Sequence, residues 1–347
     1  MRFVVLAVLA ACAPHPGPSA TQEAAVPHAA AAEGAVAPAD PAPDAPADPP
    51  SPAPGDAGCV NEGAPYDAAA LREQIAHLAS PELDGRASGS PGDAAARASL
   101  ADRFRCLGLV PAGAGDSYEQ PFTADGRATA NLVGYLPGDD AAVGNDIIVV
   151  GAHHDHLGDG HLGANDNASG VVALLAIAQA IRQHGKPHRT IAFTLFGGEE
   201  LGLYGSAYFA AHPPAALPLG RIVYDVNLDM VGSYRSAGAV YAMGTFRGLP
   251  ATGIVKILTA EHPALHVGVG GRGVGSDHEA FCKAGVPYVF FWTPDKRCYH
   301  ARCDTIDKLD AAHLGEIAAF AGALVERLSD SPGDLAGSRA RLGCTGR

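Results

Sequence analysis

Gly151-Ala152-His153-His154-Asp155-His156-Leu157-Gly158, followed by Gly163-Ala164-Asn165-Asp166-Asn167, is the stretch on which the reading of this chain turns. Before it runs Asp146-Ile147-Ile148-Val149-Val150, apolar and β-branched, the pattern of a buried strand. After it, Ala168 to Gln183 is apolar at nearly every position, which predicts a buried helix capped by Asn167 or Ser169. The loop between them is dense in His, Asp, Asn and Gly. An open parallel sheet places its binding site in such a loop, beyond the carboxyl end of a strand. Imidazoles and carboxylates together suit zinc, and one carboxylate can join two ions. Taken alone, the loop fits a polar surface turn equally well, because short motifs recur by chance.

The rest of the chain alternates in the same way. Helices are expected over 67–79, 93–107, 201–211 and 252–261, from Ser276-Asp277-His278 to near Gly285, and over 307–329. Strands are expected over 131–136, 146–150, 190–196, 221–228, 239–243 and 286–292. This alternation predicts an α/β fold, a three-layer α/β/α sandwich on a mostly parallel mixed sheet. His153, Glu199 with Glu200, Asp229 and His300 each follow a separate predicted strand closely. Strand ends of that kind converge at one edge of the sheet, and scattered surface polars have no reason to share that register.

Composition bounds the partners. The chain has 347 residues, 47% of them hydrophobic, with a formal net charge of −13. That charge argues against nucleic acid. Residues 1–12 read as a signal segment: Arg2, then an apolar run from Phe3 to Ala11 too short to cross a bilayer. It ends Leu9-Ala10-Ala11-Cys12, which looks like a bacterial lipobox. Export follows as an expectation, with membrane contact only through a lipid on Cys12. Residues 13–58 hold 12 of the 27 prolines and cannot bury a core, so they are expected to form a tether ahead of a folded domain over 59–347. Six further cysteines (Cys59, Cys106, Cys282, Cys298, Cys303 and Cys344) suit disulfides in an exported chain. Cys298 and Cys303 are near enough in sequence to brace the loop that carries His300.

His153, Asp166, Glu200, Asp229 and His300 supply two imidazoles and three carboxylates. That set can hold two divalent ions with one carboxylate shared. Two ions roughly 3.5–4 Å apart polarise a carbonyl and bring the pKa of a bound water to about 7. A free carboxylate beside that water takes its proton and passes it to a leaving amine. In a Glu-Glu pair, one side chain can ligate while its neighbour serves as that base.

Several ordered motifs make the resemblance: GAHHDHLG (151–158), GANDNASG (163–170), FGGEELGLYGS (196–206), NLDMVG (227–232), SDHEAF (276–281) and YHARCDTID (299–307), with DGRASGSPGDAAA (84–96) as an entry segment. Over roughly residues 66 to 330 the chain resembles the aminopeptidase Y-type co-catalytic zinc peptidases, which include secreted bacterial leucyl aminopeptidases and glutamate carboxypeptidases. The resemblance implies two zinc ions and peptide substrates. It implies His153 and Asp229 on one ion, Glu200 and His300 on the other, and Asp166 between them. Glu199 becomes the general base, Asp155 a hydrogen-bond partner of His153, and Tyr299 a hydroxyl aimed at the developing oxyanion. The chain departs from the family pattern at Arg302-Cys303, where an acidic residue is usual.

Other readings weigh less. His154, His156 and His161 read as loop or supporting residues. Ser276-Asp277-His278 reads as helix cap and pocket wall, since serine-triad members meet only in the fold. Gly268-x-Gly270-x-x-Gly273 matches a dinucleotide fingerprint in letters and reads as a loop. Alternatives to an aminopeptidase are a carboxypeptidase or other amidohydrolase, a one-zinc glutaminyl cyclase, and a non-enzymatic surface module. His153 argues against the cyclase, and the complete ligand set with Glu199 against the inert module.

Overall fold

The computed structural model describes residues 63–341. The expected signal segment, the tether and Cys12 lie outside the described residues. Two helices lead in, α1 (Ala68–Leu78) and α2 (Pro91–Cys106). Asp67 Oδ1 accepts from Ala70 N and Ser90 Oγ from Asp93 N, so each helix has a polar N-cap. Then come β1 (Val110–Pro111), β2 (Glu119–Ala124), β3 (Arg127–Leu136) and β4 (Ile147–His153). The chain continues through α3 (Gly170–His184), β5 (Thr190–Phe196), α4 (Tyr204–Ala211) and β6 (Ile222–Leu228). It closes with α5 (Tyr234–Ala237), β7 (Val240–Met243), α6 (Pro250–Glu261), β8 (Val267–Val269), α7 (His278–Lys283), β9 (Tyr288–Trp292) and α8 (Ala311–Ser329).

The strands form one mixed sheet in the order β1-β3-β5-β4-β6-β9-β7-β8, with β2 paired to β3. The middle four, β5-β4-β6-β9, are parallel. Strand β3 runs antiparallel to β5, and β7 antiparallel to β9. One face is covered by α1, α2, α3, α6 and α8, which share a core with Ile148, Val150, Phe193 and Leu195. The opposite face is thinner: Phe209 of α4 and Phe281 of α7 pack there on Val149, Ala192 and Phe196. The three-layer α/β/α expectation therefore holds, with unequal layers. Helix α3 is buried from Gly170 to Ile181 because the sheet, α1 and α8 enclose it.

Strand β4 has neighbours on both sides, and they mark where the chain reverses direction. From β4 the chain crosses by α3 to β5 on one side. From β5 it crosses by α4, on the other face, to β6 on the far side of β4. That reversal opens a crevice at the carboxyl ends of β4 and β6, where His153 and Asp229 stand.

One buried carboxyl lies in the sheet itself. Asp225 and Asn227 of β6 pair with Val149 and Gly151 of β4. Asp225 is 0% exposed, and neither of its oxygens has a hydrogen-bond partner within the protein. Burial, then the charge of Asp277, push its carboxyl well above the ordinary range. The folded state thus binds more protons here than the unfolded chain. Asp225 then costs stability as pH rises through the unfolded carboxylate pKa towards the folded one, about 1.4 kcal/mol per unit of separation. Asp225→Asn, which cannot ionise, should raise the melting temperature little near pH 4 and increasingly toward neutrality. Melts across pH 4–8 test this, and a gap that does not vary with pH refutes it.

Candidate metal centre

Five elements bring the site residues together. His153 is the last residue of β4, Glu199 and Glu200 follow β5, and Asp229 follows β6. His300 stands eight residues past the end of β9, further than Glu200 or Asp229 from the strand each follows. Asp166 lies in the turn Ala164–Ser169 that leads into α3.

That turn is fastened on three sides. Asp304 accepts from the backbone of Asn165 and Asp166, at 2.7 and 2.9 Å. Asn167 Nδ2 donates to Leu228 O at 2.9 Å, while its Oδ1 accepts from Gly170 N at 2.9 Å and Met230 N at 3.2 Å. Of the two candidate caps for α3, Asn167 is thus the one that serves; the Ser169 hydroxyl accepts from Val231 N instead. Gly170 has no Cβ, and one built there would fall 2.3 Å from Leu228 O. Glycine is what lets α3 begin against the end of β6. Fully buried Arg86 donates to the carbonyls of Leu78, His154, Leu162 and Gly163, so it clasps both ends of the loop between His153 and Asp166.

Asp166 sits between two imidazoles. Its Oδ1 lies 3.3 Å from His153 Nε2 and its Oδ2 3.3 Å from His300 Nε2. His153 Nε2 is also 3.3 Å from Asp229 Oδ1, and His300 Nε2 is 2.9 Å from Glu200 Oε2. Two ligand atoms on one tetrahedral zinc, each about 2.0–2.1 Å from it, stand about 3.3 Å apart. The spacing therefore fits zinc at two adjacent positions, one flanked by His153 and Asp229, the other by Glu200 and His300. The chain's donors, nitrogen and carboxylate oxygen, also suit that metal.

His153 Nδ1 is 3.1 Å from the backbone carbonyl of Asp155 and 3.8 Å from its carboxylate. This corrects the expectation that the Asp155 side chain bonds His153. The carboxylate is engaged elsewhere, accepting from Ser88 Oγ at 2.8 Å and Glu199 N at 3.1 Å. A carbonyl can only accept, so this contact puts a proton on Nδ1 and leaves Nε2 as the nitrogen nearest Asp166 and Asp229.

Glu199 approaches His153 only to 4.0 Å, further than the ligand pairs. Burial raises its carboxyl well above the usual range, and the charges of Asp229, Asp277 and Glu200 add to the effect against the opposing pull of His153. A carboxylate with raised proton affinity beside a ligand cluster has the properties of a general base.

The supporting residues fall as follows. His154 points away from the centre, its Nε2 3.1 Å from Asp93 Oδ1. His156 points inward, buried, with Nδ1 2.6 Å from Glu200 Oε1. Tyr299 stacks on His300 with ring centroids 3.8 Å apart and lines the cleft. Burial, then Asp166 and Glu200, push its phenol up to about 12. Cys298 and Cys303 form the expected disulfide, which closes the loop holding His300; Cys106 and Cys282 are also disulfide-bonded. Arg302, the departure from the family pattern, pairs with Asp159 at 3.0 Å. Ser276 Oγ accepts from Asn227 Nδ2, and His278 lies flat against Phe290, so no serine triad forms. Asp277 stands at the N-cap of α7 without a side-chain capping bond, so the expected cap role is not filled. Its carboxyl is raised to about 7, by burial first. The stretch from Gly268 to Gly273, expected as a loop, is so only from Gly270 on, since Gly268 and Val269 pair with β7 as part of β8; Arg272 to Gly275 line the cleft.

The cleft over this centre has a volume of about 790 Å³. Met230, Met243, Val274, Phe290 and Trp292 form its apolar wall; Asp295, Lys296 and Arg272 are its polar members away from the ligands. Among the described residues no helix is long and apolar enough to cross a membrane.

Comparison with known proteins bears on the family and the fold. The sequence profile of Peptidase family M28 matches residues 131–325. Leupeptin-inactivating enzyme 1 of Streptomyces exfoliatus is 31% identical over 222 residues, 56% of this chain and 47% of that protein. A probable leucine aminopeptidase 2 of Aspergillus oryzae is 30% identical over 173 residues, 47% of this chain and 33% of that protein. The chain thus spans half or less of the length of these relatives. The fold is similar to that of a zinc aminopeptidase from Bacillus subtilis, with a TM-score of 0.65 at 18% identity, over 79% of this chain and 98% of that one.

Proposed function

Because this chain belongs to peptidase family M28, we propose that it is a zinc-dependent exopeptidase that removes the N-terminal residue of peptides. The observation that carries this reading is the position of Asp166, with one oxygen 3.3 Å from each of two imidazoles and Glu199 beside them. His153, Asp229 and Asp166 would hold one ion, and Glu200, His300 and Asp166 the other. When bound, such a pair polarises the scissile carbonyl and acidifies a water molecule.

The chain's own groups would do the rest. Glu199 takes the proton from the attacking water and delivers it to the leaving amine, a task its raised proton affinity suits. The Asp155 carboxylate holds the Glu199 amide and so aims this base. The Tyr299 hydroxyl, kept protonated by its raised pKa, donates to the developing oxyanion. The walls of Met230, Met243, Phe290 and Trp292 favour a large apolar side chain beside the scissile bond. Leucine aminopeptidases among the relatives support that preference.

Arg272 and Lys296 in the cleft favour a second reading, a carboxypeptidase that pairs a cation with the substrate's terminal carboxylate. Matched apolar peptides with free or acetylated N-termini separate the two. We expect cleavage only where the N-terminus is free; turnover of the blocked series sinks the aminopeptidase reading.

We also propose export as a lipoprotein, supported by the Leu9-Ala10-Ala11-Cys12 ending and by a disulfide, which persists in oxidising compartments. The mass of the mature N-terminus should correspond to a lipidated Cys12, and a protein beginning elsewhere refutes this.

The two adjacent glutamates should differ in kind. Glu199→Gln keeps the shape and removes the base, so kcat should fall about 10²–10⁴-fold with two zinc ions still bound. Glu200→Gln should weaken one ion, with partial rescue by added zinc. Elemental analysis beside kinetics decides it. Glu199→Gln stripping metal while Glu200→Gln keeps both ions reverses the assignment.

A further inference from the structure

His156 has no role in the reading above, yet it is 1% exposed and turned into the centre. It lies three residues past His153 on the loop after β4. Its Nδ1 stands within 4.8 Å of oxygens of both Asp166 and Glu200, close enough for a third imidazole ligand. The separations decide otherwise. Ligand pairs on one tetrahedral zinc stand about 3.3 Å apart, as His153–Asp166, His153–Asp229 and His300–Asp166 do, with His300–Glu200 shorter at 2.9 Å. His156 Nδ1 is 2.6 Å from Glu200 Oε1, a hydrogen-bond distance, and 3.9 Å from Asp166 Oδ2. The Glu200 oxygen it meets is also the one turned away from His300, whose Nε2 lies 2.9 Å from Oε2.

We propose that His156 is a positioning residue, whose Nδ1–H holds Glu200 Oε1 and leaves Oε2 alone to face the second ion. This rests on the two-ion reading of the site. The bond is charge-assisted and buried, so it is stronger than a neutral one. It makes Glu200 a one-oxygen ligand with its carboxylate plane fixed. Without the donor, Glu200 can rotate or offer both oxygens, and the geometry of the second position is lost. The first position, built from His153 and Asp229, does not depend on it. Outer hydrogen bonds of this kind typically change metal affinity about 10–100-fold.

The test uses the full chain and zinc alone, in competition with a chelator, so that two binding steps are resolved. His156→Phe keeps a ring and removes the donor. His156→Asn keeps an N–H near the position of Nδ1. The expected result is one step weakened about 10–100-fold in His156→Phe, the other step unchanged, and affinity in His156→Asn restored to within a few-fold of the wild type. The kcat lost in His156→Phe should return with excess zinc. A packing role alone would not single out one ion, nor be rescued by the smaller Asn.

Two full-strength steps in His156→Phe overturn the proposal, as does a His156→Asn as weak as His156→Phe. One ion in the wild type overturns the two-ion reading, and the proposal with it. Should His156→Phe not fold, nitrogen NMR of the zinc-loaded wild type, with the signal assigned by its loss in His156→Asn, distinguishes the same two roles. A protonated, unliganded Nδ1 is the expected result; a metal-shifted Nδ1 makes His156 a ligand and overturns the proposal.

Discussion

Crowding of negative charge is the constraint on which this structure depends. The carboxylates of Glu199 and Asp229 approach within 4.8 Å of each other, and so do those of Asp166 and Glu200. At that distance and an effective dielectric near 20, a like pair repels by about 3–4 kcal/mol when both members are ionised. All four carboxylates are largely buried, so water screens little of this. Three imidazoles, His153, His156 and His300, stand among them, and divalent cations would offset the negative charge more fully than imidazoles can. The fastenings of the site make sense as means of holding acids together that would otherwise separate: Arg86 on the loop carbonyls, Asp304 and Asn167 on the turn, and the disulfide around His300.

The sheet supplies the position for that charge. Crossovers from β4 to β5 and from β5 to β6 lie on opposite faces, so the loops after β4 and β6 part without a helix between them. His153 and Asp229 occupy that gap, and Asn167 ties the start of α3 to the end of β6 beneath them. The same reversal leaves α4 and α7 to cover one face alone. That thinner layer is where the buried polar groups of β6 and α7 are found, Asp225, Asn227 and Asp277. The charge of Asp277 beside the centre adds to the forces that raise the proton affinity of Glu199.

Much of this was legible in the chain because local pattern and site chemistry coincide. Runs of β-branched residues ended at Phe196 and Leu228, and the polar residues that follow them are the site. Element ends were less legible. Helix α4 begins at Tyr204 rather than Leu201, because Gly202 N and Leu203 N both turn back to Glu199 O. That turn keeps the two glutamates in the crevice. Contacts distant in sequence left no periodic signal. Arg86 reaches four carbonyls, two of them more than seventy residues away, and Asp304 meets Asp166 across 138 positions. Each sits within a recognisable motif, but nothing local says what it touches. Asp155 shows the same limit: its nearness to His153 suggested a side-chain bond, whereas the carbonyl serves His153 and the carboxylate serves Glu199.

The two halves of the centre are built differently. His153 ends a central strand and Asp229 follows another directly, so their positions are set by the sheet, and both are nearly inaccessible. Glu200 and His300 stand on loops, and the His300 side chain is 37% exposed. A loop residue has more conformational freedom to lose when it binds an ion. Here that freedom has been removed beforehand: His300 lies inside a loop closed by Cys298–Cys303 and under the ring of Tyr299, and Glu200 lies against His156. The half carried on strands needs little bracing because strand pairing already orders it. The half carried on loops has no such pairing, so its order comes from covalent closure, stacking and a buried hydrogen bond.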